Sequence, residues 1–73
     1  MLNNAKIKAR MVLLRLTQLE VAEAMGISIA TFNAKLNGTR RMYLDEFLVL
    51  CEILQLNSAE EREDLIDGSF FNP

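Results

Sequence analysis

Leu16-Thr17-Gln18-Leu19-Glu20-Val21-Ala22-Glu23-Ala24-Met25-Gly26-Ile27-Ser28 holds a helix start, a helix stop and the start of the next helix. Thr17, with Glu20 three residues on, forms a capping box. Its hydroxyl accepts the N–H of Glu20, and the Glu20 carboxylate reaches back to the N–H of Thr17. Leu19, Ala22 and Met25 then turn inward at helical spacing. Gly26 stops the helix, because the left-handed conformation that closes one suits glycine. Ile27-Ser28 makes a tight turn, and Ser28 is a good N-cap for a third helix.

Outward from this stretch the chain divides cleanly. Downstream, Phe32 and Leu36 lie four apart and meet on one face of the third helix, which Asn37-Gly38 ends. Thr39-Arg40-Arg41-Met42 is a basic loop. A fourth helix over residues 44–54 carries Phe47, Leu50, Cys51 and Leu54 at i, i+3, i+4, i+7, the stripe of a core-facing helix. Ser58-Ala59-Glu60-Glu61 is a second capping box. It opens a short acidic helix that the pattern carries to residue 66, with Gly68 ending it before Ser69-Phe70-Phe71-Asn72-Pro73. Upstream, Ile7, Met11 and Leu14 recur at helical spacing over residues 4–14, with Lys6, Lys8 and Arg10 on other faces. Five short helices and no strand signal predict an all-α, compact five-helix bundle, with the domain over residues 1–67 and a tail over residues 68–73.

The bulk properties limit what this bundle does. A chain of 73 residues is one domain at most, and it buries only about 60% of its unfolded surface. The 51% hydrophobic content is ample for a core and too high for a disordered chain. The longest apolar run is far short of the roughly 20 residues that cross a membrane. Met1-Leu2-Asn3-Asn4 has no export signal, so the expectation is a cytoplasmic protein. Cys51 is the sole cysteine and histidine is absent, so no intrachain disulfide, Cys/His metal site or cofactor is expected. Lacking a Gly-rich phosphate loop, a Ser/His/Asp set or a metal cluster, the chain does not read as an enzyme. The net charge of −2 hides a strong polarity: residues 1–41 carry seven basic and two acidic side chains, residues 42–73 one basic and eight acidic. Such a molecule presents a basic face to phosphate while its other end stays acidic.

Helices two and three, joined by Met25-Gly26-Ile27-Ser28, make a helix-turn-helix. Here the sequence resembles the Cro/repressor (XRE-like) family of bacterial and phage regulators. The likeness rests on residues 16–28, then Thr31-Phe32, then Asn37-Gly38, then Phe47, Leu50, Cys51 and Leu54, and it covers roughly residues 5–55. It implies the lambda-repressor-like fold and sequence-specific binding of double-stranded DNA, with helix three in the major groove. The protein implied is a small transcriptional regulator of phage or mobile-element type, typically a repressor. It would act as a homodimer, formed free or only on DNA, on a pseudo-palindromic operator. Any dimer would use helices four and five or the tail.

The resemblance assigns roles by position. Gln18, just inside helix two, is a phosphate contact at a helix N-terminus. Ser28, Ile29, Ala30 and Asn33 face the bases. Asn33 is the best reader, since its amide can pair with both edge groups of adenine, while Ile29 and Ala30 can touch a thymine methyl. Asn37, Thr39, Arg40 and Arg41 look like phosphate clamps, with Lys35 and Arg10 assisting. Two departures stand out. Met11 and Leu36 occupy positions where the family often has an Arg–Glu pair, and an apolar swap there leaves the fold intact. Lys35 falls where the family is usually apolar, so its stem is expected to pack while the ammonium snorkels outward. Few polar readers on helix three give DNA shape a share in the recognition.

Plainer readings compete. Ile29 and Ala30 fit as core or filler, Arg40-Arg41 as a solvated loop, and Cys51 with the methionines as core. Phe70 and Phe71 either fold back between helices one and five or contact a second copy. A different class of function is a protein-interaction module, such as a small antitoxin or regulatory adaptor, gripping its partner with helix five and Phe70-Phe71.

Overall fold

Side-chain caps set where the helices begin. In the structure, a computed structural model that describes residues 2–67, Asn3 caps α1 (Asn4–Leu13) by accepting the Lys6 N–H at 3.0 Å. Thr17 opens α2 (Gln18–Met25) with both halves of the expected capping box, at 2.9 and 3.1 Å. Ser28 opens α3 (Ile29–Asn37) and Ser58 opens α5 (Ala59–Glu63). At α4 (Leu44–Ile53) only half a box forms: Glu46 Oε1 accepts the Tyr43 N–H at 2.9 Å.

The helix ends share one device. Leu16, Ile27, Thr39 and Leu56 each donate an N–H to the carbonyl five residues back, on Met11, Ala22, Ala34 and Cys51. This is the long bond of the Schellman motif, which satisfies a terminal carbonyl and requires a left-handed residue just before the donor. Gly26 (φ 74°) and Gly38 (φ 82°) fill that place after α2 and α3, as the sequence predicts. After α1 and α4 it falls to Arg15 and Gln55, both at φ 59°, where a side chain costs roughly 1–2 kcal/mol. Gln55→Gly should therefore stabilise the domain by about 0.5–1 kcal/mol, net of glycine's greater unfolded freedom. A thermal melt checks this: a midpoint several degrees higher is expected, and an unchanged or lower one contradicts it.

α2 packs against both α3 and α4, so the helix-turn-helix and the fourth helix share one core. Phe32, Ile7, Leu50, Leu54, Val21 and Cys51 are fully buried at its centre, and Met11, Leu36, Met42 and Phe47 close around them. The predicted α4 stripe lies entirely inside. The α2 face differs from expectation. Leu19 is 50% exposed and Val21 takes its place in the core, beside Ala22 and the half-buried Met25. The capping box turns Thr17 and Glu20 to solvent, which aims residues 18, 21, 22 and 25 inward.

α5 is also shorter than the pattern suggests, ending at Glu63 rather than residue 66. Leu65 and Ile66 leave it to bind the chain's beginning: Asn3 donates its N–H to the Leu65 carbonyl at 2.7 Å, and Leu2 bridges Ile66. Gly68, Phe70 and Phe71 lie outside the described residues. Among the described residues no helix is long and apolar enough to cross a membrane.

Candidate nucleic-acid interface

α3 is amphipathic in a particular way. Phe32 and Leu36 lock its inner face to the core. With 3.6 residues per turn, Ala30 and Asn37 turn away from that face, Asn33 stands at its flank beside Leu36, and Ile29 lies at its N-terminal end. Ile29, Ala30 and Asn37 are exposed and Asn33 is half-buried. Among the described residues, neither Asn33 nor Gln18 commits its amide to another group of the chain. Asn37 is steadied from α1, where Asn4 Nδ2 donates to Asn37 Oδ1 at 2.9 Å. Gln18 stands half-buried at the first position of α2, beside N–H groups that the helix itself leaves unpaired.

The Ser28 hydroxyl accepts the Thr31 N–H at 3.1 Å and donates to Thr31 Oγ1 at 2.9 Å. Arg40 returns from beyond α3 to the same oxygen, Nη1 lying 3.4 Å from Thr31 Oγ1. A cation is thus hung over the first turn of α3 although it sits nine residues further along the chain. Thr31 as its anchor was not anticipated; a second hydroxyl three residues after a Ser cap is the signal that marks it. Thr39 closes α3 instead, its hydroxyl donating to the Ala34 carbonyl at 3.1 Å.

Two of the expected phosphate contacts are redirected. Lys35 does not snorkel outward. Its ammonium donates to Glu46 at 2.9 Å and to the Arg41 carbonyl at 3.0 Å, with the side chain only 10% exposed. Arg10 lies across the end of α4, Nε donating to the Leu54 carbonyl at 2.9 Å and Nη2 to the Gln55 carbonyl at 3.3 Å. Terminal carbonyls carry the negative end of a helix dipole and attract just such a cation. Lys6 is held at 2.7 Å by Asp64. Of the seven cations in residues 1–41, Lys6 and Lys35 pair with carboxylates and Arg10 with carbonyls, which leaves Lys8, Arg15, Arg40 and Arg41 with neither kind of partner among the described residues.

Arg41 Cζ stands 5.5 Å from the centre of the Tyr43 ring, and Lys35 Nζ 5.8 Å from it. The Tyr43 N–H, then the Lys35 hydrogen bond, hold the Glu46 carboxyl below its ordinary range. Neither Tyr43 nor Glu46 stands out in the sequence. Burial raises the Cys51 thiol, as suits a core residue. Among the described residues no cluster of acidic or cysteine side chains could hold a metal.

A short helix, a glycine turn and a second helix with a free outer face and an arginine over its first turn define a helix-turn-helix DNA-binding domain. The chain matches the Cro/C1-type HTH DNA-binding domain over residues 6–60, and it belongs to that family. No curated protein and no solved structure matches it.

Proposed function

We propose that this protein is a small transcriptional regulator of phage or mobile-element type. It acts in the cytoplasm as a homodimer that reads a pseudo-palindromic operator, with α3 of each copy in the major groove. The observation that carries this reading is the outer face of α3. Asn33 has an uncommitted amide at its edge, Ala30 and Ile29 offer apolar contacts, and Arg40 overhangs one end. Such a face supplies base readout, while Gln18, Asn37, Arg40 and Arg41 supply phosphate contacts around it. The exposed Leu44, Leu48 and Val49 of α4 support the homodimer, since a second copy would cover them.

The two kinds of contact separate by mutation. Arg40→Ala and Arg41→Ala should weaken binding to every duplex alike and flatten the dependence of affinity on salt. Asn33→Ala should cost roughly 1–3 kcal/mol on the selected site and little on random DNA. Fluorescence anisotropy with a duplex selected from a randomised pool, set against an unselected duplex, measures both. Equal losses on the two duplexes for Asn33→Ala would remove it from the base readers.

A second reading, the adaptor or antitoxin, draws on α1 and α5. Val12 and Leu13 are exposed on α1. Leu13 joins Ala9, Leu56 and Leu65 in lining an open groove of about 390 Å³ against α5. Lys6, Arg10, Glu61 and Asp64 line it as well, two of each sign, so binding there would lack the steep fall with salt that marks DNA binding.

A further inference from the structure

Four contacts close a ring between α3, the loop and α4. Lys35 Nζ donates to the Arg41 carbonyl at 3.0 Å. The Arg41 guanidinium lies against the Tyr43 ring at 5.5 Å. The Tyr43 N–H donates to Glu46 Oε1 at 2.9 Å, and the Glu46 carboxylate returns to Lys35 at 2.9 Å. Lys35 and Glu46 are sheltered, at 10% and 26% side-chain exposure.

Stability alone does not call for this arrangement. An apolar residue at Lys35 would pack as well, and replacing a sheltered ion pair with apolar groups is often neutral or favourable. What the pair provides is direction. The helix-end bonds of Thr39 and Arg40 to the Ala34 carbonyl set the loop's course only as far as Arg40, and Arg41 lies beyond them. Lys35 fixes the backbone of Arg41 to the last turn of α3, and Glu46 fixes the start of α4 to the same ammonium.

We infer that Lys35 and Glu46 are a positioning pair, which sets where Arg40 and Arg41 meet the DNA backbone relative to the base-reading face of α3. This rests on the DNA-reading function proposed above. Two of the three ammonium hydrogens are already used, so Lys35 acts through the arginines rather than on a phosphate. Glu46 is the informative partner. As a bare negative charge near DNA it would weaken binding, and its neutralisation would help. As half of a positioning pair, its loss hurts.

The test uses the full chain with Lys35→Met and Glu46→Gln, separately and together. Glutamine still accepts the Tyr43 N–H, so the start of α4 survives. Affinity is measured on a duplex selected by the wild-type protein and on random duplex, at several salt concentrations. Amide exchange over residues 39–43 is followed without DNA. Both single variants should lose on the order of tenfold on the selected duplex and less on random DNA, with an unchanged salt slope. The double variant should be no worse than either single, and residues 39–43 should exchange faster in all three.

Three results would overturn the inference. Tighter binding by Glu46→Gln on all DNA makes that carboxylate a mere repelling charge. A salt slope lowered by about one in Lys35→Met, with equal losses on both duplexes, makes Lys35 a phosphate ligand. Unchanged exchange over residues 39–43, with DNA binding intact, removes the pair alone. If the wild-type protein selects no duplex, the proposed function itself falls and the positioning role falls with it.

Discussion

Replacing Phe32 with alanine lowers the melting midpoint of the domain by tens of degrees. Among the described residues Phe32 is the largest fully buried side chain, sitting where α3 meets the core that α2 and α4 share. Removing a buried phenylalanine costs about 3–5 kcal/mol in lost transfer energy and residual cavity. Small domains hold about 5–15 kcal/mol in all, and short chains sit at the low end. Each kcal/mol moves the midpoint of a domain this size by roughly 4–8 °C. Circular dichroism melts measure the effect. A shift of only a few degrees would mean that α3 is anchored by something other than this ring, and the fixed orientation of its outer face would lose its basis.

Placing a carboxylate on the opposite side of the same helix has the reverse profile. Ala30→Glu should leave the fold as stable as before or slightly more so, because an acidic residue in a helix's first turn suits the dipole. Ala30 is exposed, so the longer side chain meets solvent and not core. DNA binding should fall by on the order of a hundredfold or more on selected and random duplexes alike, since like-charge juxtaposition costs several kcal/mol. Melting and anisotropy on one preparation measure both effects. A stable variant with near-normal affinity would place the DNA-binding face elsewhere. Together, Phe32→Ala and Ala30→Glu separate the two faces of α3: one holds the fold and the other, in the proposed function, meets the DNA.

Much of this architecture is legible in the sequence because its signals are local. Thr17 with Glu20, Ser28, and Ser58 with Glu61 declare helix starts within four residues, and Gly26 and Gly38 declare ends. The α4 stripe of Phe47, Leu50, Cys51 and Leu54 has one possible inward face. α2 is harder, because Leu19 and Val21 both suit the core and only the fixed start at Thr17 decides between them. The end of α5 depends on a strand-like contact with Leu2 at the far end of the chain, which no local pattern announces.

The site obeys the same division. The outer face of α3 is fixed by the inner one, so Ala30 can be placed from Phe32 and Leu36 alone, whereas Asn33 falls at the flank between the two faces. The partners of the cations cannot. Arg10 finds its carbonyls on Leu54 and Gln55, and Lys35 finds Glu46 across the turn of another helix. A basic residue near a recognition helix reads as a phosphate ligand until folding brings it a closer acceptor. Arg15 and Gln55 are opaque for a related reason: a left-handed helix end without glycine leaves no mark in the sequence.

DNA binding through this face is tested most directly by the affinity of the wild-type protein for random-sequence duplex DNA across a range of salt. Measurable binding is expected at low salt, falling steeply as salt rises, with a log–log slope of roughly −0.9 for each phosphate neutralised. Absence of binding at low salt, or an affinity indifferent to salt, would contradict DNA binding by this face.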